Sequence, residues 1–103
     1  MSQPAIGRIV HYTLSEQDAV EINRRREDFR ASGNAYAHSG FLGHVGNHAQ
    51  EGDVYPAMIV RAWGSDSSSA VNLQVFLDGN DTFWATSRTL GEGPFHWAWP
   101  ERV

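Results

Sequence analysis

Residues 70–88 read AVNLQVFLDGNDTFWATSR. From Ala70 to Leu77 the residues alternate: Val71, Leu73, Val75 and Leu77 point one way, Asn72, Gln74 and Phe76 the other. That is the period of a half-buried strand. Asp78-Gly79-Asn80-Asp81 follows, a hairpin signal because Gly and Asn tolerate the positive φ of tight turns. Phe83–Arg88 then reads as the return strand. A lone hairpin is marginal in water, so its apolar face needs further strands or a helix.

The flanks supply them. Upstream, Tyr55–Trp63 (YPAMIVRAW) is a continuous apolar run, with Pro56 at its start or on an edge. A polar turn, GSDSSS at 64–69, joins it to the hairpin. Downstream, a Gly-rich turn at Leu90–Pro94 leads into Phe95-His96-Trp97-Ala98-Trp99, a short strand stopped by Pro100. Its alternate rings, Phe95, Trp97 and Trp99, are expected in the core or at a subunit interface. Ile6–Tyr12 reads as a first strand. Ser15 and Asp18 then form a weak capping box, and Ala19, Ile22, Arg26 and Phe29 recur on one helical face. A helix is predicted over about 16–30, stopped near Gly33-Asn34. Residues 32–53 hold Gly33, Gly40, Gly43, Gly46 and Gly52 without a regular period, so they read as one long connection with a short strand at Gly43–Val45. The expected fold is α+β, one domain over residues 1–103. It is a small, strongly curved antiparallel sheet or partly open SH3-like β-barrel, with one N-terminal helix and a long Gly-rich loop.

Composition narrows the function. The 103 residues carry 8 basic and 12 acidic side chains, a net of −4, which argues against a nucleic-acid coat. Every cation is Arg and none is Lys, so no phosphate-binding P-loop is present. There is no Cys, hence no disulfide framework, thiolate metal site or cysteine nucleophile. No apolar run reaches the ~18–20 residues of a membrane span. The opening MSQPAIGRIVHY lacks the layout of a secretory signal. A reducing cytoplasm is the expected home. So short a chain hides about 60–70% of its unfolded surface, and a homo-oligomer, by default a symmetric dimer, is expected.

The segments GRIVHYTLSEQDAVEINRRR, HVGNHAQEGDVYPAMIVRAW, VNLQVFLDGNDTFWATS and WAWPERV cover nearly the whole chain. Together they resemble a family of small uncharacterised proteins of tailed phages and prophages. The resemblance implies a phage-encoded accessory protein acting in the host bacterial cytoplasm. It implies no particular chemistry.

The residues themselves carry no catalytic pattern: no GxSxG elbow, no HExxH and no paired-His motif is present. His44 and His48, with Glu51 and Asp53 nearby, are the only hint of a metal site or acid–base pair, and loop histidines bonded to backbone and water explain them as well. No cofactor is implied. Binding has more behind it. Arg26 shares the helix stripe with Ile22 and Phe29, and an inward Arg needs a carboxylate or an anionic ligand. Asp53 and Glu51 are the protein carboxylates expected to pair with it. Asn23, His44 and Asn47 are candidate donors beside it; Asn72 and Gln74 offer amides on the polar strand face, and Trp84 offers a ring for stacking. The leading expectation is therefore a non-catalytic binder of a small anionic, nucleotide-like ligand. By analogy with small oligomeric phage proteins that soak up nucleotide signals, it would sequester a host immune signal. One alternative is a virion or host-protein interaction module whose curved sheet presents aromatics. Another is a small metal-dependent hydrolase or nuclease accessory built on His44, His48 and Asp53.

Overall fold

A computed structural model of the chain describes residues 3–31 and 45–101. In chain order it holds β1 (Ile9–Thr13), α1 (Glu16–Ala31), β2 (Val54–Ala62), β3 (Val71–Phe76), β4 (Thr82–Leu90) and β5 (His96–Ala98). β1 pairs with β2, β2 with β3 and β3 with β4, all antiparallel. β5 then pairs antiparallel with β1 and parallel with β4, closing the barrel. An odd number of strands cannot close with antiparallel pairs alone, and the short parallel contact Thr89↔His96, Leu90↔Trp97 resolves the mismatch. Each strand thus has two strand neighbours, although β5 meets β1 and β4 over only two residue pairs each.

Alternation sets the inside. Val10 and Tyr12 of β1, Ala57 and Ile59 of β2, Val71, Leu73 and Val75 of β3, and Phe83 and Ala85 of β4 are buried. Register shifts at Ile59/Arg61 and at Val71/Leu73 bend the longer strands, as bulges do, so a short sheet can close on itself. The second shift alters one reading. Asn72, expected on the outward face, is buried, and its Oδ1 accepts the Ser87 N–H at 2.8 Å. Ser87 sits at φ 57°, a left-handed conformation rare for a residue with a side chain. The amide thus ties down the irregular point of β4. The tail aromatics also part company. Trp97 is fully buried, Trp99 is half-buried with its ring edge-on to Trp97 (5.2 Å), and Phe95 is largely exposed at φ 78°.

α1 starts where the capping box places it: Asp18 N–H donates to Ser15 Oγ (3.1 Å) and Ser15 N–H to Asp18 Oδ2 (3.0 Å). Its buried stripe is Asp18, Ala19, Ile22 and Arg26. Ala19 and Ile22 join the barrel core with Leu14, Ala49, Leu77 and Phe83. The charged members are each met by β4 or its turn. Arg88 Nη2 reaches Asp18 Oδ1 at 2.9 Å, and Arg26 Nη2 reaches Asp81 Oδ1 at 3.0 Å. α1 therefore runs opposite to β4, tied near each end of that strand. The expected helix stop at Gly33-Asn34 and most of the short strand expected at Gly43–Val45 lie outside the described residues. Within them, Gly46 forms an isolated antiparallel bridge with Gly79.

Candidate functional site

The residues around Arg26 assemble from α1, residues 45–49 and the β3–β4 turn. Arg26 is 6% exposed and donates through Nη1 to the Asn47 carbonyl and through Nη2 to Asp81. Arg25 reaches the same carboxylate through Nη2 (3.4 Å) and the Thr82 carbonyl at 3.1 Å. The inward Arg thus finds a carboxylate, but neither Asp53 nor Glu51. Asp53 is taken up locally, accepting from the Gln50 N–H at 2.9 Å and from the Tyr55 hydroxyl at 3.3 Å. Burial, and then the neighbouring Asp53 charge, raise the Tyr55 pKa above the ordinary phenol value.

The asparagines of this region serve the backbone. Asn23 Nδ2 donates to the Ala49 carbonyl (2.8 Å) and its Oδ1 accepts the Ala49 N–H (3.0 Å), mimicking a strand partner. Asn47 Nδ2 donates to Asp78 Oδ2 at 2.8 Å, and its N–H to the Asp78 carbonyl at 2.8 Å. Asn80 closes the bridge from the other side, its N–H donating to the Val45 carbonyl at 2.8 Å while its Oδ1 accepts the Val45 N–H at 2.9 Å. The two chains approach so closely that a Cβ on Gly46 would stand 2.5 Å from the Asp78 carbonyl oxygen and 2.6 Å from Arg26 Nη2. Beside this clamp lies an open cavity of about 620 Å³, lined among the described residues by Val20, Asn23, Arg24, Arg26, Arg30 and His48, with Glu27, Asp28 and Gly46.

Gln74 and Trp84 are elsewhere. They face each other across β3 and β4 on the outside of the barrel, continuing a row that begins at Ile9 and Met58. Trp84 is 61% exposed. The next outward row holds His11, Pro56, Phe76 and Thr82. Of the sequence candidates, then, Asn23, Arg26 and Asn47 come together, Gln74 and Trp84 form a second locus on the outer face, and Asn72 belongs to the bulge. His44 lies outside the described residues.

A second polar cluster is buried at the other end of β4. Tyr12 donates its hydroxyl proton to Asp18 Oδ2 and accepts from Arg88 Nε at 2.7 Å. Arg88 Nη1 donates to the Thr86 carbonyl, and its guanidinium carbon sits 3.8 Å from the Phe95 ring centroid. Burial, followed by the hydrogen bond to Asp18, pushes the Tyr12 pKa well above the ordinary phenol range. These bonds tie α1 to β1 and β4. Among the described residues no group of His, Asp and Glu gathers as a metal site needs, and no helix is long and apolar enough to cross a membrane.

Sequence reasoning missed Asp81, assigned only to turn chemistry, and missed Ile9 and Met58 as members of an outward apolar row. Strand alternation held the signal for Ile9 and Met58, because the positions opposite Val10 and Ile59 must face out. The pairing of Asp81 with a helix 55 residues away left no local trace. No family model, no curated protein and no solved structure matches the chain.

Proposed function

We propose that the protein is a non-catalytic interaction module that receives a protein partner on the outer face of its barrel. The row Ile9–Met58–Gln74–Trp84 carries the reading. Scattered surface apolar residues are ordinary. Here Ile9, Met58, Phe76 and Trp84 lie at neighbouring outward positions of four strands around Gln74, and Trp84, Phe76 (40% exposed) and Ile9 (43%) project into solvent rather than into the core. Patches of about 300–600 Å² are the largest that monomers usually show, and they are often functional. The row lies on the outer faces of β1–β4, so a partner seated there docks through side chains and not by adding a strand. This suits a phage-encoded accessory protein that works by occupying another protein, in the host cytoplasm or in the virion. Native mass spectrometry of protein purified from infected cells tests the reading. A second chain, either a copy or another protein, bound to wild type and lost in a Trp84→Thr, Phe76→Thr variant is expected; a wild-type chain that stays bare up to about 300 μM overturns it.

The cavity beside α1 favours a second reading, binding of a small anionic, nucleotide-like ligand, and with it sequestration of a host signal. Arg24, Arg30 and His48 line it, and Arg26 Nε is buried without an acceptor among the described residues. Asn23, Arg26 and Asn47 already serve the fold, and Trp84 faces away, so such a ligand is held by charge and not by ring stacking. Calorimetry against cyclic dinucleotides and ADP-ribose derivatives decides it: no heat at micromolar protein removes this reading.

A further inference from the structure

We propose that the partner on the outer face is a second copy of this chain, forming a weak symmetric dimer. This rests on the docking reading and adds the identity of the occupant. The two outward rows, Ile9–Met58–Gln74–Trp84 and His11–Pro56–Phe76–Thr82, contain no Asp, Glu or Arg. The whole chain, by contrast, carries 12 acidic and 8 basic residues. Within these two rows no charged side chain stands. A charged partner surface would lose hydration there and gain no counter-charge. The complement of an uncharged apolar face is another one, and every copy of the chain brings it.

The centre of the face is also self-complementary. Gln74 sits between Met58 and Trp84 in the row, and its carboxamide has both donors and an acceptor. A twofold axis beside it lets two Gln74 amides pair while each indole packs on the partner's Met58 and Ile9, as an isologous contact requires. From the exposures of these residues, about 500 Å² per copy can be covered, near the ~1,000 Å² total at which specific association begins. The dimer is therefore expected to be weak, with a dissociation constant of about 10–100 μM.

The charge balance gives this dimer a signature. Each copy carries −4, so the two repel at a distance while no ion pair holds the contact. Salt shortens the reach of that repulsion to about 10 Å at 0.1 M and about 3 Å at 1 M. Sodium chloride should thus tighten the dimer, the opposite of what an interface of ion pairs does.

Sedimentation equilibrium of the full chain over roughly 5–300 μM is the test. The average mass is expected to climb from 11.5 kDa toward twice that value. Between about 50 and 500 mM salt the constant should tighten by roughly two- to tenfold. Acrylamide quenching of tryptophan emission should fall as the dimer fills, because Trp84 is then covered. Trp84→Thr should hold the mass at 11.5 kDa with an unchanged circular dichroism spectrum. Gln74→Arg, which places like charges on the axis, should do the same without shortening an apolar side chain. A wild-type mass fixed at 11.5 kDa up to about 300 μM overturns the proposal. So does association that weakens with salt or survives both substitutions. If the chain is monomeric yet leaves infected cells with a different protein bound through Trp84, the docking reading stands and only self-association falls.

Discussion

Arg88, near the end of β4, and Asp18, in the first turn of α1, form an ion pair of 2.9 Å across 70 residues of sequence, with both side chains almost wholly buried. Tyr12 lies between them, donating to the acid and accepting from the base. Removing one member of such a pair leaves a charge without compensation inside the protein. That commonly costs about 3–5 kcal/mol, whereas removing both is far milder. Arg88→Met keeps most of the side-chain volume and deletes the charge. It is expected to lose about 3–5 kcal/mol by urea unfolding, and Asp18→Asn in the same chain to recover at least about 1 kcal/mol. A single variant as stable as wild type would show that the pair contributes nothing net.

The hydroxyl of Tyr12 makes stability depend on alkaline pH. Its folded pKa is raised, by burial first and then by donation to Asp18, while the unfolded chain titrates near the ordinary value of 10.0. With the folded pKa above the unfolded one, the unfolded state releases its proton first. The stabilisation is thus whole below about pH 10 and is lost as pH climbs from there toward the folded pKa. Tyr55 shifts in the same direction with less burial and adds a smaller part. Unfolding free energy should decline above about pH 10, and Tyr12→Phe should flatten most of that decline while lowering the plateau by about 1–2 kcal/mol. Urea melts at a series of pH values read both effects. An unchanged slope in Tyr12→Phe would assign the alkaline loss elsewhere.

How much of this was legible in the chain depends on the distance over which each feature is encoded. The hairpin around Asp78–Asp81, the alternation of β3 and the capping of α1 by Ser15 and Asp18 are set within a few residues, and the observed elements follow them closely. Arg26 was legible as an inward cation because Ile22 lies four residues before it on the helix. Its partner was not, since the rule says only that a buried charge needs a counter-charge and Asp81, Asp53 and Glu51 all qualify. Asn72 shows a different limit. Period-two alternation places it outward, but the register shift beside it turns the amide into the sheet, and a bulge depends on how strands meet rather than on one strand's pattern. The same holds for Trp84. Its exposure follows from alternation, but its separation from Arg26 follows from closure of the barrel, which puts the apolar side of β4 between them.

Gly46 tests the clamp around Arg26. Its φ is ordinary, so conformational freedom is not why a glycine stands there. The reason is space: an added Cβ meets the Asp78 carbonyl oxygen at 2.5 Å and Arg26 at 2.6 Å. Gly46→Ala must push residues 45–47 away from the turn and break the bridge to Gly79. An overall loss of about 1–3 kcal/mol is expected. The local sign is sharper. Amide exchange at Asn47 and Asn80, whose N–H groups bond across the bridge, should quicken far more than exchange at Leu73 or Val75 in the barrel. Equal protection at all four would mean that the alanine is absorbed without separating the segments.

Ser87 and Asn72 give a prediction of opposite sign. Ser87 holds a left-handed φ of 57°, which disfavours a residue with a Cβ by roughly 1–2 kcal/mol. Glycine removes that penalty but gives the unfolded chain more freedom, worth about 0.4–1 kcal/mol against the fold. Ser87→Gly should therefore be neutral to stabilising, by about 0–1 kcal/mol. Asn72→Ala should destabilise by about 1–2 kcal/mol, because the Ser87 N–H loses its 2.8 Å acceptor and the buried amide leaves a void. The two effects must couple. With serine at 87, the Asn72 carbonyl helps hold a backbone that resists its own conformation; with glycine there is less to resist. In a double-mutant cycle read by denaturant midpoints, Asn72→Ala should cost less in the Ser87→Gly background, by about 0.5 kcal/mol or more. Strict additivity would mean that the hydrogen bond and the strained φ sit side by side without one supporting the other.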